Sequence, residues 1–213
     1  MRSTCWAPSL FDLADGPPRP GPDAGPATRH ELTNDAWVDH HPGWLPGSAA
    51  LFDELVTGLR WRQPEVPMYG RLVTQPRRSA WLHIDDVPED LPLARRTLPH
   101  LAELLGARHA RRFTTVGCNL YRDGADSVAW HGDRVHRHRT EAVIAIVSLG
   151  SPRPFRLRPR GGGPGLGFDL GHGDLLVMGG TCQRTWQHAV PKRARVAGPR
   201  LSVTFRHDVP EAP

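Results

Sequence analysis

The chain reads as an α+β protein that is mainly β: a double-stranded β-helix, or jelly roll, of antiparallel strands with supporting helices towards its N-terminus. Three observations carry that reading. Apolar residues recur at helical spacing in two stretches between residues 48 and 105. From about residue 112 the pattern changes to short β-branched and apolar runs broken by turn residues. The last of these runs, residues 200–206, alternates strictly between polar and apolar side chains, the signature of a strand with two different faces.

Residues 13–28 are mostly Gly, Pro, Ala and Asp and cannot bury a core, so residues 1–28 are expected to be a flexible lead-in. A single domain is expected over 29–208, followed by a short tail, 209–213. Ala36-Trp37-Val38 and Gly43-Trp44-Leu45 supply apolar anchors, and Trp37, Trp44, Trp61 and Trp186 are assigned to the core. A first helix should start at Ser48 as N-cap and bury Leu51, Phe52, Leu55 and Leu59. A second, over 92–105, should bury Leu93, Leu98, Leu101, Leu104 and Leu105, so that helices dominate the first half. Residues 113–121 and 127–131, joined through the turn pair Asp123-Gly124, are expected to form a hairpin. The apolar run 143–149 suits a buried strand. A short strand around Phe155, a loop over 161–165, and strands at 174–178 and 201–205 complete the expectation.

Whole-chain quantities exclude several classes. At 213 residues the chain fits one domain, and no apolar run approaches the roughly 20 residues of a membrane span. Three scattered cysteines, Cys5, Cys118 and Cys182, are too few for a disulfide framework or a thiolate zinc site, which points to a reducing compartment, with the cytoplasm as the default; a monomer is expected. The net charge of +5 and a pI near 9.8 are compatible with a polyanionic partner. Arg134, Arg137, Arg139, Arg153, Arg156, Arg158 and Arg160 form a basic stretch with Glu141 as its one acid. It reads either as a phosphate-binding surface or as an ordinary solvated one.

The residues that carry chemistry lie beside that stretch. In Trp130-His131-Gly132-Asp133 a His and a carboxylate two positions apart fall on one strand face. With His188 from a distant strand they make two imidazoles and one carboxylate, the set that holds mononuclear Fe(II) with positions left for a co-substrate and O₂. Arg200, Ser202, Thr204 and Arg206 share one face of the last strand. Either that face lines a cavity for a dicarboxylate, or the two arginines meet solvent. Asn119 and Tyr121 repeat the polar device on a neighbouring strand.

These segments together resemble a known family. Asn119-Leu120-Tyr121-Arg122-Asp123-Gly124, Trp130-His131-Gly132-Asp133, Val147-Ser148-Leu149-Gly150, Gly173-Asp174-Leu175-Leu176-Val177-Met178, Trp186-Gln187-His188 and Pro199-Arg200-Leu201-Ser202-Val203-Thr204-Phe205-Arg206 are similar to the AlkB family of Fe(II)/2-oxoglutarate dioxygenases, over about residues 35–207. The resemblance implies that His131, Asp133 and His188 bind iron and that Asn119, Tyr121, Arg200, Ser202 and Arg206 hold 2-oxoglutarate, Arg206 taking the distal carboxylate. It implies oxidative dealkylation of N-alkylated bases such as 1-methyladenine, 3-methylcytosine or etheno adducts in DNA, with succinate, CO₂ and formaldehyde as products. The chain departs from the family at Ser202, where many members have Asn, and at Val135, where repair members often carry an acid. Those departures leave the lesion open.

A base in a duplex must be flipped out to reach such a site, which calls for phosphate contacts and a stacking side chain. Arg134 and Arg156, with Arg77 or Arg78, are candidates for phosphate. Tyr69 or Trp81 is the candidate for stacking, Tyr69 reading equally as a structural aromatic. RNA as substrate, hydroxylation of a protein or small molecule, and a non-catalytic nucleic-acid-binding jelly roll are the alternatives.

Overall fold

A computed structural model describes residues 18–20, 26–68, 70–133, 140–194 and 198–207. In chain order its elements are β1 (Thr28–Glu31), β2 (Ala36–His41), α1 (Ala49–Gly58), β3 (Glu65–Met68), β4 (Arg71–Thr74), β5 (Arg78–His83), α2 (Pro92–His109), β6 (Thr115–Tyr121), β7 (Val128–His131), β8 (Ile144–Gly150), β9 (Arg153–Pro159), β10 (Leu166–Leu170), β11 (Asp174–Gly180), α3 (Cys182–Thr185), β12 (Trp186–Val190) and β13 (Arg200–Arg206). A seven-stranded sheet runs β1-β2-β11-β8-β13-β6-β5, and a four-stranded sheet runs β10-β9-β12-β7. Every pairing in both is antiparallel, giving the jelly roll the sequence predicts. A separate hairpin joins β3 to β4.

Strand alternation builds two cores from one large sheet. Leu201, Val203 and Phe205 of β13, with Val147 of β8 and Val177 of β11, face α1 and α2 and bury Phe52, Leu55, Leu98, Leu101 and Leu105. The opposite side chains of β8 and β11, Ile144, Ile146, Leu176 and Met178, meet Phe155 and Leu157 of β9 and Trp186 and Val190 of β12 between the sheets. On β13 and β6 that same inner face turns polar. The space between the sheets is therefore apolar at one side and lined by charged and amide side chains at the other.

Several sequence expectations change. The first half is not dominated by helices, because β1, β2 and β5 join the large sheet and β3–β4 form their hairpin. These strands are short, and one face of β4 and β5 is exposed, so no long apolar run advertises them. Segments 113–121 and 127–131 do not pair as a hairpin: β6 lies between β13 and β5, whereas β7 pairs with β12 in the other sheet. The Asp123-Gly124 turn carries the chain across the gap. β10 and α3 arise where the sequence shows only turn-rich segments.

Ser48 is the N-cap residue of α1, as expected, but its side chain makes no capping hydrogen bond. Its hydroxyl donates to the Leu45 carbonyl (2.9 Å) and accepts from His172 Nε2 (2.9 Å). The imidazole has that proton because its Nδ1 accepts from the Gly150 amide. In α2, Leu104 is exposed and Leu93 only partly buried, while Ala94, Thr97 and Ala102 fill the buried stripe instead. The start of α2 is capped from outside: the Glu54 carboxylate of α1 accepts from the amides of Leu93 (2.9 Å) and Ala94 (2.6 Å). Trp44 and Trp186 are buried as expected, and Trp37 and Trp61 are partly buried against the helix-side core.

Candidate active site

His131 ends β7, Asp133 lies two residues beyond it, and His188 sits opposite His131 in the register of β12. Asp133 is thus not on the strand, as the His-x-Asp spacing suggests, but still falls on the metal-facing side. One ligand atom from each of the three lies within 4.8 Å of the others. Each ligand is fixed by a different neighbour. His131 Nδ1 donates to the Ala129 carbonyl (2.9 Å), which leaves Nε2 as the free lone pair. His188 is stacked on Phe155, with centroids 5.3 Å apart and planes 16° from parallel. The Asp133 amide donates to Gln183 Oε1 (2.8 Å) from α3. Gly132 admits this approach, since a Cβ there would lie 2.6 Å from the Gln183 carbonyl oxygen.

The protonation states suit a cation. Burial pulls the His188 imidazole down to about 4, so it is neutral at physiological pH. Burial opposes ionisation of Asp133, yet Arg206, His188 and His131 outweigh it and hold the carboxyl at about 2. Arg206 Nη2 donates to Asp133 Oδ1 (3.0 Å), whereas Oδ2 is buried with no hydrogen-bond partner and lies 3.9 Å from His188 Nε2. Two imidazoles and an unsatisfied carboxylate oxygen at this separation fit a divalent ion bound by nitrogen and oxygen.

A cavity of about 40 Å³ continues from these ligands and is lined by Asn119, Tyr121, Arg200, Ser202 and Arg206, together with Arg77 and Thr204. Both arginines of β13 are buried, which decides between the cavity and solvent readings of that strand. Arg200 donates from Nε to Ser148 Oγ (3.0 Å), and its guanidinium lies 5.3 Å from the Tyr121 ring centroid. Burial draws that guanidinium down to about 10 and pushes the Tyr121 hydroxyl up. Arg200 Nη2 and Arg206 Nη1 are buried without hydrogen-bond partners, so the cavity presents donors that await an anion. Gly117 is needed beside them, as a Cβ there would lie 2.5 Å from Arg206 Nη1.

A family model described as "2OG-Fe(II) oxygenase superfamily" matches residues 48–206. The chain belongs to this superfamily. Within it the chain is similar to AlkB-type dioxygenases, as three relatives indicate. "DNA oxidative demethylase ALKBH2" of Arabidopsis thaliana is 31% identical over 193 residues, covering 75% of this chain and 62% of the relative. "Alpha-ketoglutarate-dependent dioxygenase alkB homolog 3" of Mus musculus is 30% identical over 192 residues, covering 80% and 66%. "DNA oxidative demethylase ALKBH2" of Mus musculus is 27% identical over 233 residues, covering 95% and 96%. The chain thus spans slightly less than two thirds of the first two. Fe(II), 2-oxoglutarate and O₂ are the family's cofactors, and the His-Asp-His cluster fits the iron.

Outside the cofactor pocket, a larger groove of about 560 Å³ runs along β7, between His131, Trp130, Ala129 and Val128 on one side and Val66, Val73 and Pro76 on the other. Arg77 lies at the junction, lining both spaces and donating to Asn119 Oδ1 (3.1 Å). It is therefore a pocket residue as well as the phosphate candidate it appears in the sequence. Arg156 lines the groove and donates to the Phe168 carbonyl (3.2 Å). Trp81 is 59% exposed and lines neither space, its ring lying 4.8 Å from the Arg206 guanidinium. Tyr69, Arg134 and Val135 lie outside the described residues. The basic stretch divides: Arg158 and Arg160 are exposed, but Arg153 is buried and donates to the carbonyls of Asp123 (2.6 Å), Asp126 (2.7 Å) and Pro191 (3.0 Å). It ties the crossover into β7 to the end of β12.

Sequence reasoning missed Gln183, Ser148 and Phe155. Gln183 offers no signal, because it reaches the ligand segment only through a single helical turn. Ser148 and Phe155 are visible in the sequence only as ordinary members of strands.

Proposed function

We propose that this chain removes N-alkyl groups oxidatively from nucleic-acid bases, with DNA as the favoured polymer and succinate, CO₂ and formaldehyde as products. The observation that carries the reading is the continuity of three spaces: the His131–Asp133–His188 cluster, the cavity crowned by Arg200 and Arg206, and the groove beside His131 that, among the described residues, holds Arg77, Arg156 and Lys192 but no acid. The relatives' printed names, "DNA oxidative demethylase" among them, support it.

In this reading His131, Asp133 and His188 hold Fe(II), which with 2-oxoglutarate and O₂ supplies the oxidising chemistry at the alkyl carbon. The protein's own residues bind, orient and exclude water. Arg200 takes the distal carboxylate of 2-oxoglutarate and not Arg206, revising the assignment the resemblance implies. The reason is position: Arg206 is engaged with Asp133, at the metal end, whereas Arg200 lies against Ser148 and Tyr121. A guanidinium matched to a carboxylate two-pronged gives both affinity and direction. Asn119, Tyr121 and Ser202 complete the lining, and Arg77 orients Asn119 through its hydrogen bond. The target base enters the groove out of the stack. Among candidates for contact with it, the lining of the groove favours Arg156 over Trp81.

The test is a panel of single- and double-stranded DNA and RNA oligonucleotides carrying 1-methyladenine, 3-methylcytosine or etheno bases, with formaldehyde and succinate measured together. Equal amounts of both from a methylated DNA oligonucleotide are expected. Succinate release stimulated by no member of the panel overturns the reading, and turnover of RNA alone moves the substrate to that polymer.

A further inference from the structure

The groove has a rim that the reading above leaves unused. β7 is an edge strand of the four-stranded sheet among the described residues. Successive side chains on it point to opposite faces, so His131 turns inward to the cluster while Trp130 turns outward. Trp130 is 37% exposed, so part of its ring is open to solvent. Trp130 is also among the residues that line the groove, as are Arg156 and Lys192.

The ring is held from one side. Arg158 of β9 places its guanidinium 4.3 Å from the Trp130 ring centroid. Arg158 is itself anchored, donating from Nε (3.3 Å) and Nη2 (3.2 Å) to Gln187 Oε1 of β12. Three strands thus cooperate to hold one exposed aromatic ring upright. The charge around it is unbalanced. Among the described residues no carboxylate pairs with Arg158 or Lys192, and Asp169 is shared between Arg156 (3.6 Å) and Arg193 (3.8 Å). An exposed aromatic set among unneutralised cations matches a nucleobase with its phosphodiester: the ring offers a stacking face and the cations meet the backbone.

We propose that Trp130, backed by Arg158, stacks on the nucleotide adjacent to the base held at His131, and that the preferred ligand is therefore a single strand draped over the β7 edge. The inference rests on the nucleic-acid reading given above. Because Trp130 and His131 are consecutive, their Cα atoms are about 3.8 Å apart while their side chains diverge. A strand that bends round the edge delivers one base inward and its neighbour outward. A neighbour still stacked in a duplex cannot lie on the outer face of the sheet, so this contact favours unpaired substrate. Lys192 is placed to meet the phosphate between the two.

The test is binding by the full chain of an unmodified eight-nucleotide single strand and of the corresponding duplex, read by fluorescence anisotropy at several salt concentrations. Trp130→Ala is expected to weaken single-strand binding by roughly tenfold and to leave duplex binding unchanged, while Trp130→Phe stays within about twofold of wild type. Lys192→Gln is expected to lower the slope of log affinity against log salt by about 0.7 for the single strand. Single-strand affinity unchanged in Trp130→Ala, or lost equally for single strand and duplex, overturns the proposal. So does capture of an extended peptide along β7 with no binding of nucleic acid. Dealkylation of oligonucleotides by wild type together with unaltered binding by Trp130→Ala sinks the stacking site alone. Failure to dealkylate any oligonucleotide, with the Trp130-dependent binding intact, sinks the catalytic reading alone.

Discussion

Replacing Gln183 with Met removes one acceptor from behind the metal ligands at nearly constant side-chain volume. Gln183 is 3% exposed, and its Oε1 takes the Asp133 amide at 2.8 Å while its Nε2 donates to Met178 Sδ at 3.6 Å. The contact to sulfur is weak, so the cost of the substitution falls on the Asp133 amide, which loses its partner. Leaving such a group unsatisfied costs about 1–3 kcal/mol. That cost is concentrated on the segment that orients the carboxylate, and outer partners of metal ligands typically govern affinity by about 10–100-fold. We therefore expect Gln183→Met to weaken Mn(II) or Fe(II) binding by at least about tenfold, measured by calorimetric titration. Its melting temperature without metal should fall by only a few degrees. The stabilisation conferred by a fixed metal concentration should shrink in proportion, since that increment depends on the dissociation constant. A variant with the wild-type metal affinity and a lowered melting temperature would refute the argument, reducing Gln183 to a packing residue.

Asp133→Ala is expected to abolish turnover while leaving oligonucleotide affinity within a few-fold of wild type, checked by formaldehyde release and anisotropy on the same preparation. Arg200→Met should raise the KM for 2-oxoglutarate by on the order of 100-fold or more, because it removes a buried, charge-assisted pair; Asp133 and its metal should be unaffected. Equal 2-oxoglutarate KM values in the variant and wild type would return the distal carboxylate to Arg206. Glu54→Gln should cost about 1 kcal/mol of stability by weakening the cap on α2, read as a melting shift of about 2–4 °C. His109, stacked on Trp37 with centroids 5.8 Å apart, is drawn by burial and by Arg108 down to about 4. Its folded value lies below the unfolded one, so its contribution to stability is complete above about pH 6.5 and is lost as pH falls towards 4. Because the ring is only partly buried, that loss is about 1–2 kcal/mol, and His109→Gln should flatten urea midpoints measured between pH 4 and 7.

The parts of this molecule that were readable in its sequence share a physical cause. β8 is apolar on both faces because it lies between helices and the second sheet, and such a run announces itself. β13 alternates because each face meets a different environment, and the row Arg200, Ser202, Thr204, Arg206 marks its polar face in the sequence, although alternation alone does not decide between a cavity and solvent. What escaped notice was set by tertiary context. β1, β4 and β5 show little of the apolar pattern that marks a buried strand, since exposed positions carry no burial constraint. The pairing of β7 with β12 was hidden because a turn pair such as Asp123-Gly124 fixes a reversal of the chain but not whether it stays in one sheet. Ser48 has the composition of a cap, yet His172, far away in sequence, claims its hydroxyl. Gln183 acts across the fold on a backbone amide, and backbone partners leave no mark on composition.

The two faces of β13 also limit how this protein can change over time. Leu201, Val203 and Phe205 hold the helices, and the interleaved Arg200, Ser202, Thr204 and Arg206 floor the cavity. Substitutions within either row leave the other in place, so a chain could retune the cavity lining, as at Ser202, without rebuilding its core. Gaining or losing a single residue inside the strand is a different event. A slip of one position exchanges the rows, sending three hydrophobic side chains into the anion pocket and two arginines under the helices. Residues 200–206 should therefore tolerate point changes far better than any change in length, and a scan of single-residue deletions along β13 should lose folding and co-substrate binding together at every position.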